Sequence, residues 1–400
     1  MNKGIIGAVI GDIAGSTREF KNVSSQRFKL FGAGSTFTDD TVLTLAVAEW
    51  MLHWDEISID EALLKWGRRY PHAGYGRGFK AFLKNGYRNS VGSTHNGSAM
   101  RASSIGFLCY DLDLVMSFAE ESVLPSHNTE SGLTGAQATA AAVFLAKEGH
   151  SKEEIRDYLE EHFSLDIPSS YEEARRLMQQ RLAMRETDHD RAHEELLDAR
   201  LTVAAAMAAF LAADDYESAI RLAIYLGGDS DTLACITGGI AAAFWGVPDE
   251  LVEEALVYLP ADMIAMINEC DGSDWKPTGI TPPNTSRWSR NDLLVYGCNR
   301  EESEGEAGFY DVRPTRFRHH VNNGWPIFTI GESLEFIAEQ VDLLLRKFGN
   351  KRDVRLLVKE IGISKAGYSI EQIAPLFRDA LHMENILLPE SFVKVLKEAH

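Results

Sequence analysis

Thr38-Asp39-Asp40-Thr41 opens the run Val42-Leu43-Thr44-Leu45-Ala46-Val47-Ala48-Glu49-Trp50-Met51-Leu52. The run is apolar on almost every face, which predicts a buried helix. Thr38 is a good N-cap, and Asp39 and Asp40 fall in the first turn. There, free N–H groups and the positive end of the helix dipole keep carboxylates ionised. Taken alone, these acids read as capping.

A second stretch changes that reading. Gly227-Gly228-Asp229-Ser230-Asp231-Thr232 opens a run from Leu233 to Trp245 that is again too apolar for a surface helix. It too begins with two aspartates and a threonine. Four carboxylates facing one pocket would repel one another and be poorly solvated. A hard divalent cation, or two, resolves this, and Mg²⁺ takes carboxylate, hydroxyl and water oxygens. The sequence does not itself bring the two helix starts together.

Two further stretches complete a series. Gly11-Asp12-Ile13-Ala14-Gly15-Ser16 with Glu19 comes first, and Asn96-Gly97-Ser98-Ala99-Met100-Arg101 lies between the two aspartate motifs. In this order the four resemble the motifs of the ADP-ribosylglycohydrolases, of the dinitrogenase reductase-activating and ADP-ribosylhydrolase type. The resemblance covers residues 1–275 and implies an all-α fold. It also implies removal of ADP-ribose from protein side chains or small molecules at a site holding two Mg²⁺ ions, or Mn²⁺. The expected ligands are Thr38, Asp39, Asp40, Asp229, Asp231 and Thr232. Glu19, Asp39, Asp40 and Asp231 are the expected catalytic acids, with Glu19 on a flexible loop over the site. From spacing alone Glu19 would be an ordinary surface acid, and Asp12 reads as a local cap or turn residue.

The resemblance also assigns substrate contacts. Gly76, Gly78 and Phe79 lie in a glycine-alternating stretch whose backbone can approach a ligand closely. Ser93, Thr94, His95 and Asn96 form a small polar loop before a helix start, suited to a ribose or diphosphate. His95 departs from the family, where glycine is frequent. His127 stands where the family has an ADP-ribose-contacting histidine; by itself a histidine before a helix reads as a cap. Arg101 reads as a loop brace with carboxylate partners.

Composition narrows the partners. A formal charge of −19 argues against nonspecific nucleic-acid binding and against an anionic membrane. Cys109, Cys235, Cys270 and Cys298 are widely spaced and read as reduced thiols of a cytoplasmic protein, without a zinc site. The run Gly4–Ile13 is too short to span a bilayer and reads as a buried helix, not a signal peptide.

Further along, Ser58–Tyr70 reads as an amphipathic helix, and Ser151-Lys152-Glu153-Glu154 has capping-box spacing. Residues 171–200 read as a solvated helix pair with no chemistry. Glycines and prolines mark 276–291 as a linker. Beyond it, Leu293–Gly297, Val354–Val358 and Asn385–Pro389 read as strands and Leu334–Phe348 as a helix. This predicts a small α/β domain over 292–400. Ile361–Tyr368 with Ala374–Phe377 is similar to a domain common in phage-related proteins, but its first loop, Cys298–Gly305, is acidic and poor in glycine.

The expectation is a metal-dependent hydrolase that cleaves the bond between ADP-ribose and an acceptor, foremost a protein side chain. The alternatives are a hydrolase of a free ADP-ribosyl small molecule and a non-catalytic ADP-ribose-binding or structural protein of the same fold. Retention of all four aspartates favours an enzyme.

Overall fold

The computed structural model divides the chain into two units, Met1–Lys276 and Pro277–His400. It describes residues 4–21, 23–86, 92–276, 278–281, 292–298, 315–316, 323–349, 351, 354–363 and 366–398.

Among the described residues, the first unit is built of helices, with a single isolated β-bridge between His95 and Asp198. Its elements are α1 (Ile5–Gly15), α2 (Asp39–Leu52), α3 (Ile59–Arg69), α4 (Arg77–Asn85), α5 (Ser103–Leu108), α6 (Leu112–Val123), α7 (Glu130–Lys147), α8 (Lys152–Phe163), α9 (Tyr171–Met184), α10 (His189–Leu197), α11 (Ala199–Ala212), α12 (Tyr216–Leu226), α13 (Ser230–Trp245), α14 (Asp249–Leu256) and α15 (Ala261–Asp271). The predicted buried helices are α1, α2 and α13, and every residue of α1 is buried. The capping boxes at Ser58–Glu61 and Ser151–Glu154 both form.

At the centre, α1 and α13 run antiparallel with their backbones in contact. A Cβ on Gly7 would lie 2.3 Å from Ala242 Cβ, one on Gly11 1.9 Å from the Ala234 carbonyl oxygen, and one on Gly15 2.4 Å from the Ser230 carbonyl oxygen. Glycine every fourth residue forms a groove along one face of α1, and α13 fills it. The C-terminal end of α1 therefore lies beside the N-terminal end of α13, which carries Asp231.

The other end of α1 is tied remotely. Its N-cap, Gly4, offers no side chain. Asp271, at the end of α15, accepts from the Ile5 N–H at 3.1 Å and the Ile6 N–H at 3.4 Å. Burial raises the Asp271 pKa to about 6, against the opposing pull of those N–H groups. Asp271→Ala leaves these buried donors unpaired and is expected to cost about 1–3 kcal/mol by denaturant unfolding. A loss under about 0.5 kcal/mol, the level of an ordinary surface change, would contradict the capping role.

The second unit is a five-stranded sheet in the order β2-β3-β1-β4-β5. Its strands are β1 (Asp292–Cys298), β2 (Thr315–Arg316), β3 (Asn323–Phe328), β4 (Arg355–Val358) and β5 (Ile386–Leu387). All neighbours pair in parallel except β2 with β3. The helices are α16 (Leu334–Phe348), α17 (Ile370–Ile373), which runs on into a 3₁₀ turn over Ala374–His382, and α18 (Glu390–Glu398). The small α/β architecture matches the sequence expectation; β2, β3 and α18 were not anticipated. Part of the expected linker belongs to this unit. The Thr281 N–H donates to the Leu388 carbonyl at 2.7 Å, and the Leu388 N–H donates to the Gly279 carbonyl at 2.8 Å. Most of the acidic loop Cys298–Gly305 lies outside the described residues.

Candidate metal centre and active site

The site forms where three helix ends converge: the last turn of α1 and the first turns of α2 and α13. The N-termini of α2 and α13 present free N–H groups and positive dipole ends, so acids belong there. Asp12, on the last turn of α1, faces the wrong end of its own helix. Its carboxylate is fully buried and binds α2 instead. It accepts from the Thr38 N–H at 2.8 Å, the Thr38 hydroxyl at 2.7 Å, the Thr41 N–H at 3.1 Å and the Thr41 hydroxyl at 2.5 Å. This corrects the reading of Asp12 as a local cap: it caps the neighbouring helix and joins the acidic cluster. Thr38 is the expected N-cap and accepts from the Asp40 N–H at 3.2 Å.

Two acidic groups result. In each, carboxylate oxygens lie within 4.8 Å of one another: Asp12, Asp40 and Asp231 in one, and Glu19, Asp229 and Asp231 in the other. Asp231 is common to both. Burial, and then Asp12, Asp39 and Asp229, push the Asp40 pKa well above the ordinary range, while the Thr232 hydroxyl pulls it down. Burial, then Asp229 and Asp40, do the same to Asp231. Asp40 Oδ1 and Asp231 Oδ1 are buried with no hydrogen-bond partner among the described residues. Crowded carboxylates with unpaired inward oxygens are the donor set a hard cation requires, so these residues fit a divalent metal. Asp12 fits less well as a ligand, because four donors already occupy its oxygens. Asp39 joins neither group, although its charge reaches both Asp40 and the buried Tyr75 phenol.

Glu19 lies on the turn following α1. The next residue, Phe20, adopts a left-handed conformation at φ 52° and donates its N–H to the Gly228 carbonyl at 2.6 Å. That bond ties the turn to the Gly227-Gly228 segment ahead of Asp229 and brings Glu19 to the second group.

The expected substrate residues are distributed as follows. Gly76 is the N-cap of α4, and Gly78 and Phe79 lie in its first turn rather than in a loop. A Cβ on either glycine would meet nothing within 4 Å. Phe79 stacks on Tyr75 at 5.3 Å. Ser93, Thr94, His95 and Asn96 form a strip held from both sides. The Ser93 N–H donates to the Ser126 carbonyl at 3.0 Å, the Asn96 N–H to the Leu197 carbonyl at 2.7 Å, and the Ala199 N–H to the Thr94 carbonyl at 3.0 Å. Asn96 donates its side-chain amide to Asp229 Oδ2 at 2.8 Å, so it positions an acid of the cluster. His95 meets Glu194 of α10 at 3.1 Å. This links the strip to the 171–200 region, which by its sequence carries no chemistry of its own. Arg101 is a brace as expected, but its partners are the Ser122 carbonyl and the Ser126 hydroxyl, not carboxylates. His127 is buried, with Nδ1 2.8 Å from Ser126 Oγ.

A helical unit built around buried acids at two helix N-termini defines a class, and comparison with known proteins identifies it. The ADP-ribosylglycohydrolase family profile matches residues 2–271, and the chain belongs to that family of hydrolases. ADP-ribosylhydrolase ARH3 of Mus musculus is 27% identical over 327 residues, covering 65% of this chain and 88% of that protein. The Homo sapiens protein of the same name is 27% identical over 334 residues, covering 65% and 90%. ADP-ribosylarginine hydrolase Tri1 of Pseudomonas putida (strain GB-1) is 27% identical over 287 residues, covering 62% and 72%. A solved ADP-ribosylglycohydrolase-related protein complex superposes with a TM-score of 0.49 at 23% identity, over 68% of this chain and 96% of that one. The family match ends at residue 271, and the similarity of the second unit to phage-related domains gains no support from these comparisons. Among the described residues, no helix is long and apolar enough to cross a membrane.

Proposed function

We propose that this chain hydrolyses the glycosidic bond between ADP-ribose and an acceptor, foremost a modified protein side chain, in the cytoplasm. The observation that carries this reading is the pair of acidic groups sharing Asp231, with unpaired oxygens on Asp40 and Asp231. Asp40, Asp229 and Asp231 are the central metal ligands of the proposal, with Asp39, Thr38 and Thr232 completing the set. The two groups suit two ions, Mg²⁺ or else Mn²⁺. When bound, they would supply Lewis acidity toward the ribose oxygens and an attacking water. The rest falls to the chain. Asp12 holds the start of α2, Asn96 orients Asp229, and Glu19 closes the group from the turn after α1, where its carboxylate can take a proton from water. Backbone N–H groups at the start of α4 would face the diphosphate. That suits a protein of net charge −19, which cannot rely on a basic surface.

The test is release of ADP-ribose from a panel of ADP-ribosylated arginine, serine and nucleic acid, with Mg²⁺, Mn²⁺ and chelator arms. The arginine arm is prompted by the Tri1 relatives. No release in any arm, with ADP-ribose still bound, would replace the enzyme reading with the binding one. We further propose that bond cleavage belongs to the helical unit alone. A chain of residues 1–280 is expected to retain turnover on a minimal substrate to within about a hundredfold, roughly 2.7 kcal/mol. A larger loss in a folded 1–280 chain overturns that assignment.

A further inference from the structure

Arg101 is fully buried, yet two of its nitrogens, Nε and Nη1, have no partner among the described residues. Its Nη2 donates to the Ser122 carbonyl at 2.8 Å and to Ser126 Oγ at 2.9 Å. Among the described residues Ser126 Oγ has one further hydrogen-bond partner, His127 Nδ1 at 2.8 Å. An arginine can only donate, so Ser126 accepts from it, and the serine proton has a single acceptor left, His127 Nδ1. A proton on Nδ1 would strand that hydroxyl hydrogen in a buried site. The ring proton therefore sits on Nε2. That atom has no partner among the described residues and faces Gly97, where a Cβ would stand 2.9 Å away.

We propose that Arg101 and Ser126 are positioning residues that lock His127 as a neutral Nε2–H donor, aimed past Gly97 at a phosphoryl oxygen of the ligand. The ligand part rests on the proposed function; the relay itself does not. Burial, then the Arg101 charge, then His95, push the His127 pKa well below the ordinary histidine value, in keeping with a neutral ring. The buried arginine without a carboxylate then has a role: a carboxylate partner would cancel the field that keeps His127 uncharged. Gly97 leaves room for the ligand oxygen in front of Nε2.

The experiment labels the full chain with ¹⁵N-histidine and reads tautomers from long-range ¹H–¹⁵N spectra, with His127 assigned by its loss in His127→Gln. ADP-ribose binding is measured in parallel by calorimetry. The expected result is a single Nε2–H tautomer between about pH 6 and 8, spanning the ordinary histidine pKa. Ser126→Ala should give a mixture of tautomers and bind ADP-ribose about tenfold more weakly, the weight of one hydrogen bond. Gly97→Ala should keep the tautomer and still weaken binding. An Nδ1–H or protonated ring in the unaltered chain overturns the relay whether or not any variant folds, as does an unchanged tautomer in Ser126→Ala. A tautomer that responds while ADP-ribose affinity does not overturns the ligand assignment. An unaltered chain that fails to bind ADP-ribose contradicts the proposed function, and the spectrum still decides the relay.

Discussion

Asp231→Asn is expected to lower turnover by about a thousandfold or more, roughly 4 kcal/mol, and to raise the melting temperature of the metal-free protein. Asp231 is the one acid shared by both groups, so the change weakens every cation position at once. The amide keeps the shape of the carboxylate and removes its charge, which relieves repulsion on Asp40 and Asp229. The pH dependence follows from the sign of the shifts. Asp40 and Asp231 both have folded pKa values above the unfolded value of about 3.9. Between the unfolded and folded values the native state holds more protons than the unfolded chain, so stability falls as pH rises through that window. Above the folded values the penalty is complete and the slope vanishes. With chelator present, the unaltered protein should therefore melt higher near pH 5 than near pH 8. Divalent cation should restore the loss, and Asp231→Asn should flatten the profile. Unchanged cation affinity in this variant by calorimetry would remove Asp231 from the ligand set.

Gly11→Ala is expected to act in the opposite direction. The added methyl would stand 1.9 Å from a main-chain oxygen of α13, and main chain cannot rotate away. The helices must separate along a contact where both are fully buried. A loss of about 3 kcal/mol or more is expected, with a fall in melting temperature on the order of 10 °C. Cation affinity should fall as well, because Asp12 adjoins Gly11 and Asp231 lies one turn from Ala234. Gly76→Ala is the control: open space surrounds Gly76, its φ of −61° suits any residue, and stability should move by less than about 0.5 kcal/mol. Equal effects of the two changes would sink the packing argument.

What the sequence made legible was local. Two aspartates beside a threonine at the head of an apolar run announce a loaded helix start, and both such runs are buried helices here. Asp12 escaped because its donors lie 26 and 29 residues away, across a helix boundary that no spacing rule reaches. The available signal was its position: a carboxylate on the last turn of a wholly apolar helix opposes that helix's dipole and must be satisfied elsewhere. Asn96 was read as a ligand contact because small polar loops invite that reading, yet its amide serves Asp229. In the second unit, Gly324 and Pro326 hid β3. Among the described residues β2 pairs only with Asn323 and Gly324, so a proline lacking its N–H is tolerated beyond them. The amphipathic α18 follows Pro389, where the strand reading stopped.

The glycine groove of α1 has a consequence for descent. Asp40 and Asp231 crowd one another with unpaired oxygens, so the metal-free fold is expected to gain when either gives way to a neutral isostere. Gly7, Gly11 and Gly15 admit no substitute without separating two buried helices. A lineage that abandoned catalysis would therefore shed its acids early and keep its glycines. Among such descendants, the spacing of three glycines four residues apart would be the durable trace of common ancestry, outlasting the chemistry it once positioned.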